Sequence, residues 1–362
     1  MKLLVNAPIN ALSFGNVAVN ILRDLYKKNF DLALFPIGDA AAMEAYDKAD
    51  PNFLQFLQHS TNTRFDKLDK DMPTLKLWHI HGSENRYTKN QSLLTFHEVS
   101  EVTQLEKTLL KAQDNIFVTS TYTKKIFEDN GINNVYFVPL GFDADFCQTN
   151  RTYFPNKIHF GLMGKFEKRK NTARIIKTWL KLFGNDVNYQ LSCAITNPFL
   201  DKNLFQSEIF KVLEGKQYNN LNFLPYMQTN SEVNDYLNSI DIDLGGLSGA
   251  EGWNLPSFNA TALGKWSVVI NATAHKDWAT ERNSILIQPS KLKECYDDIF
   301  FKKGNAFNQG NFFDISDEEM EAAMLKSVLY AKKPNTEGLK LQTNFTYQKT
   351  TETILGVIKS RM

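Results

Sequence analysis

Short apolar runs alternate along the chain with stretches in which apolar residues recur every three or four positions. Residues 2–6 read as a first strand, followed by a loop containing Pro8 and Gly15. Residues 16–28 read as a helix, because Val17, Ile21, Leu22 and Leu25 share one face. A strand is predicted over 32–35. The polar, charge-rich stretch 39–71 predicts short helices lying over the surface. Strands follow at 75–81 and 92–97, a helix at 99–113, a strand at 115–119, a helix at 123–130 and a strand at 135–139. A second series begins near Lys157, with a strand at 158–163, a helix at 171–183 and strands at 189–195 and 221–224. A helix at 231–239, a strand at 240–244, a helix at 257–263 and a strand at 267–271 continue it, and helices over 316–331 and 347–360 close the chain. Such repetition favours parallel sheets with helices on both faces. The expectation is an α/β protein of two doubly wound domains facing across a cleft, linked through 141–156, with ligands beyond the carboxyl ends of the strands.

Composition narrows the field. A length of 362 residues suits two domains. Lys+Arg 41 against Asp+Glu 40 leaves +1, so no general basic field exists to attract nucleic acid. Residues 1–150 hold 15 basic and 18 acidic side chains, a mildly acidic half. Cys147, Cys193 and Cys295 are far apart and odd in number, which reads as reduced thiols in a cytoplasmic protein. The N-terminal run is broken by Asn6 and Pro8 and reads as a buried strand rather than a signal peptide. No run approaches the ~18–20 apolar residues of a membrane-spanning helix.

Three segments carry candidate chemistry. In GKFEKRKN, Gly164 ends a strand, Lys165 follows, and Lys170 stands at the entry of a helix whose free N–H groups favour an anion. The two lysines could hold a diphosphate there, and a solvated basic turn is the plainer alternative. In SGAEGWNLPSFNATALGKWSVV, a glycine-rich turn presents Glu251 to sugar hydroxyls and backbone N–H groups near Asn254 and Leu255 to a ligand. A tight strand-to-helix connection with Glu251 on the surface is the alternative. His79 and His81, two apart, and His97-Glu98 stand at strand ends. They could ligate a metal, but the spacing of a metal site is missing, and a neutral imidazole bonding a polar ligand fits better, with a packed core histidine the alternative for His79. Two DxD strings, Asp143-Ala-Asp145 and Asp241-Ile-Asp243, read as structural.

At these residues the chain resembles the GT-B glycosyltransferases, in particular the large retaining group called family 4, over nearly its whole length. VTSTYTKKIFEDNGINNVYFVPLGFDADFC is similar to the family's strand–Ser–helix–strand passage into the hinge. GKFEKRKN resembles its G-[RK]-x-x-x-x-K-G loop, and AEGWNLPSFNATALGKWSVV its E-G-[FW]-x-L-P-x-x-E-A-x-A-x-G-x-P-V-V segment. NFTYQKTTETIL is similar to the F-[ST]-W segment that opens the last helix.

The resemblance implies an N-terminal Rossmann-like acceptor-side domain over 1–150 and a nucleotide-sugar donor domain over 151–340. A C-terminal helix over 341–362 would return toward the first domain. It implies transfer of a sugar from a nucleotide-diphosphate sugar, a UDP-sugar first, to a hydroxyl of a glycan, polysaccharide or small molecule with retention of configuration. Lys165 and Lys170 would hold the diphosphate, and Glu251 and Gly252 would face the donor sugar. The N–H groups of Asn254 and Leu255 would approach the sugar–phosphate. Gly15 would close over the donor, and His97 would lie near the sugar, so His97, Glu251 and Lys170 are the expected catalytic group. The sequence departs from the family at Asn259, where a ribose-binding glutamate is usual, at Asn171, where glycine is usual, and after Gly264, where proline is replaced. No metal and no further cofactor are expected. Two alternatives remain: a phage-type enzyme acting on hydroxymethylated bases in DNA, and a non-catalytic nucleotide-sugar-binding protein. Peripheral membrane contact stays open.

Overall fold

A computed structural model describes residues 2–38, 42–197 and 200–360. Positions 39–41, where the surface-helix stretch was expected to begin, and 361–362, at the end of the expected terminal helix, lie outside the described residues.

The first half runs β1 (Lys2–Ala7), α1 (Ser13–Lys27), β2 (Asp31–Pro36), α2 (Pro51–Asn62), α3 (Arg64–Lys67), β3 (Pro73–Leu77) and β4 (Asn90–Thr95). It continues through α4 (Gln104–Lys111), β5 (Asn115–Val118), α5 (Thr121–Asp129) and β6 (Val135–Phe137). Its strands are all parallel, in the order β2-β1-β3-β4-β5-β6. The winding reverses between β1 and β3, and a crevice opens beyond their carboxyl ends.

The second half runs β7 (Ile158–Lys165), α6 (Thr172–Phe183), β8 (Tyr189–Thr196), α7 (Lys202–Leu213), β9 (Leu221–Phe223) and α8 (Asn230–Ser239). Next come β10 (Ile242–Asp243), α9 (Leu255–Ala262), β11 (Trp266–Ile270) and β12 (Ser284–Ile287). This sheet is also parallel, ordered β12-β11-β10-β7-β8-β9, with its reversal between β10 and β7. An antiparallel hairpin of β13 (Lys291–Glu294) and β14 (Asn311–Asp314) follows, then α10 (Asp317–Val328), α11 (Thr336–Leu339), α12 (Leu341–Asn344) and α13 (Tyr347–Ser360).

Each sheet has its own apolar interior. Leu3, Val5, Leu32, Leu34 and Leu75 pack under Val17, Ile21 and Leu25 of α1. In the second half Phe160, Leu162 and Leu191 meet Ile176 and Trp179 of α6. Reciprocal capping boxes, Thr103 with Glu106, Thr229 with Glu232 and Ser316 with Glu319, start α4, α8 and α10. The chain ends back on the first half, where Tyr347, Ile354, Leu355 and Ile358 of α13 join its interior. The crossing is tight: a Cβ on Gly141 would lie 2.1 Å from the Tyr347 nitrogen, and Phe142 N–H donates to the Phe345 carbonyl at 2.9 Å. Any side chain at Gly141 would push α13 off the hinge.

Three local expectations change. The strand expected to reach His81 stops at Leu77, because the chain leaves the sheet where the winding reverses. The helix expected from 99 starts only at Gln104, where the Thr103 cap sets it, and 96–103 stays irregular. Neither α7 nor the hairpin was anticipated. α7 buries only Val212, β13 is largely exposed, and β14 buries Phe312 on a strand of only four residues, too short to give a periodic signal.

Candidate functional site

Both segments singled out in the second half leave the strands that flank its reversal. β7 ends at Lys165, and the loop turns into α6 at Asn171, whose φ of 55° is left-handed. Glycine or asparagine tolerates that conformation, which accounts for Asn171 in place of glycine. Its amide donates to the Leu247 carbonyl at 2.9 Å, and its Oδ1 accepts from Lys293 Nζ at 3.0 Å, tying together both loops and the hairpin. Across the reversal Asn254, with φ 67°, caps α9, and its amide donates to the Gly245 carbonyl and to His275 Nε2, each at 3.0 Å. His275 Nδ1 lies 2.9 Å from the Ile270 carbonyl. Nδ1 therefore carries the proton and Nε2 accepts, a neutral ring consistent with the downward pull of burial on its pKa.

Between the loops lies a compact charge cluster. Lys170 Nζ donates to Glu251 Oε1 at 2.7 Å. Arg169, only 10% exposed, reaches four acceptors: the Ala250 carbonyl at 2.5 Å, Glu167 at 2.7 Å, Glu98 at 3.2 Å and Glu251 at 3.5 Å. Burial pushes the Glu251 carboxyl up, but Lys170 and Arg169 outweigh it and hold the pKa at about 2. Burial lowers Arg169, and the carboxylates of Glu98, Glu167 and Glu251 more than reverse this. Glu98 goes the other way: burial raises it, Arg169 opposes, and Glu251 adds to the rise. Burial also lowers Lys165, whose Nζ stands 5.8 Å from the Phe300 ring.

The first half faces this cluster with rings. Phe14 lies 4.5 Å from His79 and 4.6 Å from Phe96, and His79 stacks on His81 at 4.9 Å. The hairpin completes the wall, with Phe307 set edge-on to His81 at 5.4 Å. Burial in the cleft, then His81 and Lys165, lower the His79 pKa, so its imidazole is neutral at pH 7. The hairpin is pinned here by Thr103 Oγ1 to the Ala306 carbonyl at 2.6 Å and by Asn308 N–H to Glu106 at 3.0 Å. The halves also meet directly. Thr119 Oγ1 donates to the Gly252 carbonyl at 2.6 Å, and a Cβ on Gly252 would lie 2.9 Å from Phe96 Cβ.

The residues singled out in the sequence fall into three places. Lys165, Lys170 and Glu251 come together, with Gly252, Asn254 and Leu255 along the adjoining loop and first turn of α9. Gly15 lies in the first turn of α1, where a Cβ would collide with Asn10 at 2.2 Å. Asn259 is buried on α9, and its Oδ1 has no partner among the described residues. His97 is buried beyond β4, its ring 5.2 Å from Phe127, with Nε2 unpartnered among the described residues. The residue that reaches the charge cluster from that segment is its neighbour Glu98. Neither Glu98 nor Arg169 was singled out as a donor-site residue. Arg169 lies inside the lysine loop, and Glu98 follows His97, so the signal was adjacency to known candidates. Among the described residues no three His, Cys, Asp or Glu side chains converge as a metal site. Both DxD strings are tied up: Asp143 accepts from Asn16 at 2.7 Å and Asn20 at 3.2 Å, and Asp243 accepts from the Gly245 N–H at 3.1 Å.

No family model matches the chain, and no curated protein matches it. Solved structures do. Sucrose-phosphate synthase from Thermosynechococcus elongatus superposes with TM-score 0.68 at 11% identity, covering 99% of this chain and 98% of that one. A glycosyltransferase from Rickettsia africae gives 0.67 at 12%, covering 99% and 98%. Anabaena HepE, solved with UDP-glucose, gives 0.63 at 12%, covering 99% and 100%. The fold is GT-B. In GT-B terms the charge cluster and the ring wall lie on opposing faces of the cleft between the two sheets. Among the described residues no helix is long and apolar enough to cross a membrane.

Proposed function

We propose that this chain is a glycosyltransferase that moves a sugar from a nucleotide-diphosphate sugar to an acceptor hydroxyl, retaining anomeric configuration and needing no resident metal ion. The observation that carries the reading is the gathering of Lys165, Arg169, Lys170 and Glu251 at the winding reversal of the second sheet. HepE, of the same fold, holds UDP-glucose, and a UDP-sugar is the first donor to test. In this reading residues 1–150 bind the acceptor, 151–340 bind the donor, and 341–362 fasten the two.

Breaking a sugar–diphosphate bond leaves negative charge on phosphate and positive character on the sugar ring. Lys165, Lys170 and the N–H groups at the starts of α6 and α9 are set to stabilise the leaving diphosphate. Glu251, ionised, accepts from sugar hydroxyls. Asn259 Oδ1, buried and without a partner among the described residues, would have to be uncovered to accept from a ribose hydroxyl. The departing phosphate oxygen takes the acceptor proton on the face it leaves, which keeps the anomeric configuration. The acceptor is a glycan or small molecule meeting the ring wall of the first half. The free thiols Cys147, Cys193 and Cys295 fit a reducing, cytoplasmic setting.

Thermal unfolding with UDP-, GDP- and ADP-sugars tests the donor step: one class should raise the Tm, and Glu251→Ala should abolish the shift. Proton NMR of the product then reads its anomer, and an inverted product refutes retention. Activity unchanged by a chelator supports the metal-free route, and loss restored by a divalent ion refutes it. Donor binding with neither transfer nor donor hydrolysis would instead make the chain a nucleotide-sugar-binding protein.

A further inference from the structure

Among the described residues Glu98 is the one carboxylate that the first half contributes to the charge cluster, and the reading above gives it no role. About a quarter of its side-chain surface, 24%, remains open to the cleft. The groups that face it are Lys165 at the end of β7, Glu167, Arg169 and Lys170 from the loop after it, and Glu251 from the loop before α9. Without a ligand these sum to three cations and three carboxylates.

A nucleotide-diphosphate sugar brings two further negative charges into this set. To meet them Lys170 must leave Glu251 Oε1, now 2.7 Å away. Arg169 is then the one fixed cation among Glu98, Glu167 and Glu251, and its Nη1 is already committed to the Ala250 carbonyl at 2.5 Å. Three carboxylates on a single desolvated guanidinium cannot all stay charged cheaply, and the usual relief is for one of them to take a proton. Glu167 keeps its 2.7 Å bond to Nη2. Glu251 starts far down the scale, at about 2, whereas burial has already raised Glu98.

We infer that Glu98 takes up a proton from solvent when a diphosphate enters the loop between β7 and α6, making it a positioning residue through which the acceptor half registers the donor. The inference rests on the donor reading above. A protonated Glu98 changes from an acceptor into a hydrogen-bond donor at the cleft. It loosens its hold on Arg169, leaving that guanidinium to Glu251 and fixing the carboxylate that faces the sugar.

The test is calorimetric titration of UDP-glucose into the full chain, in buffers of differing ionisation enthalpy, from about pH 5.5 to about 8.5. The diphosphate of this probe does not titrate in that range, so the protons counted belong to the protein. Wild type should show uptake passing through a maximum that approaches about one proton per ligand. Glu98→Gln should bind with that maximum gone, while Glu167→Gln should keep it. A purely structural role for Glu98 would lower the Tm of Glu98→Gln and leave the proton count intact. Binding without uptake, or uptake that survives in Glu98→Gln, overturns the inference and leaves the donor reading standing. Failure of UDP-, GDP- and ADP-glucose alike to bind overturns both.

Discussion

Two crevices face each other across the cleft, each at the winding reversal of a parallel sheet, and they are filled with opposite chemistry. The crevice of the second half holds ionic groups from two contiguous loops, 165–170 and 250–254. The crevice of the first half holds rings from separate places: Phe14 at the start of α1, His79 and His81 after β3, Phe96 after β4, and Phe307 borrowed from the hairpin. A fixed anion calls for cations and N–H groups at helix starts, and one loop can supply them. A neutral surface needs only area and shape, which scattered side chains assemble. The comparison makes the two sides separable: substitutions in the cluster should act on the nucleotide sugar, and substitutions in the wall on the acceptor.

Lys170→Ala carries the largest expected effect. It should cut kcat/KM for transfer by about 10²–10³-fold, the usual cost of removing one group that stabilises developing charge, and abolish donor-induced stabilisation. It should also change the acid limb of stability. The Glu251 carboxyl is held at about 2 against 4.5 when free, so its ionised form stabilises the fold fully above pH 4.5, and that contribution is lost as pH falls toward 2. The linkage is about 3 kcal/mol in wild type, and the variant should lose most of it. Unfolding followed from pH 6 downward checks this: the variant's curve should be flatter. An equally steep curve would mean that Arg169 alone sets the carboxyl.

Trp78→Ala should act on the other side. The indole stands 5.9 Å from Phe14 and 5.1 Å from His79, where it holds the wall in place. Its loss should raise the acceptor KM by about tenfold, on the scale of one aromatic pair, with the Tm shift given by the donor unchanged. Phe307→Ala removes a single edge contact and should cost about threefold in the same constant. A larger effect of either variant on donor binding than on acceptor KM would break the separation.

What could be read from the residues divides along the same line. The two loops of the charge cluster were legible because glycine, lysine and glutamate stand at short fixed spacings, and the βα alternation told where strands end. The left-handed turns at Asn171 and Asn254 explain two positions where asparagine occurs beside such spacings. The ring wall was not legible, since Phe14, Trp78 and Phe96 look like core residues until the sheet order brings the start of α1 and the ends of β3 and β4 together. Phe307 lies more than 200 residues from His81, on the connection between two strands of four residues each. Glu98 was passed over for His97 because a histidine at a strand end draws attention. Past the end of β4, His97 turns to Phe127 while Glu98 meets Arg169.

The smallest effect is expected where neither chemistry is involved. Thr121, in the first turn of α5, donates to Asp277 of the second half through its N–H at 3.0 Å and its hydroxyl at 2.6 Å. Burial raises the Asp277 pKa, and the two bonds from Thr121 pull it back, so the carboxylate is held at the start of a helix by the opposite half. Thr121→Val removes the hydroxyl bond and keeps the N–H, a loss of about 1 kcal/mol. That energy belongs to contact between the halves and to neither ligand alone. Donor and acceptor KM should therefore rise together, each by about two- to fivefold, with kcat nearly unchanged. A rise in one constant alone would show that the cleft closes on that ligand first, and the two crevices would then act in sequence rather than as a single closing unit.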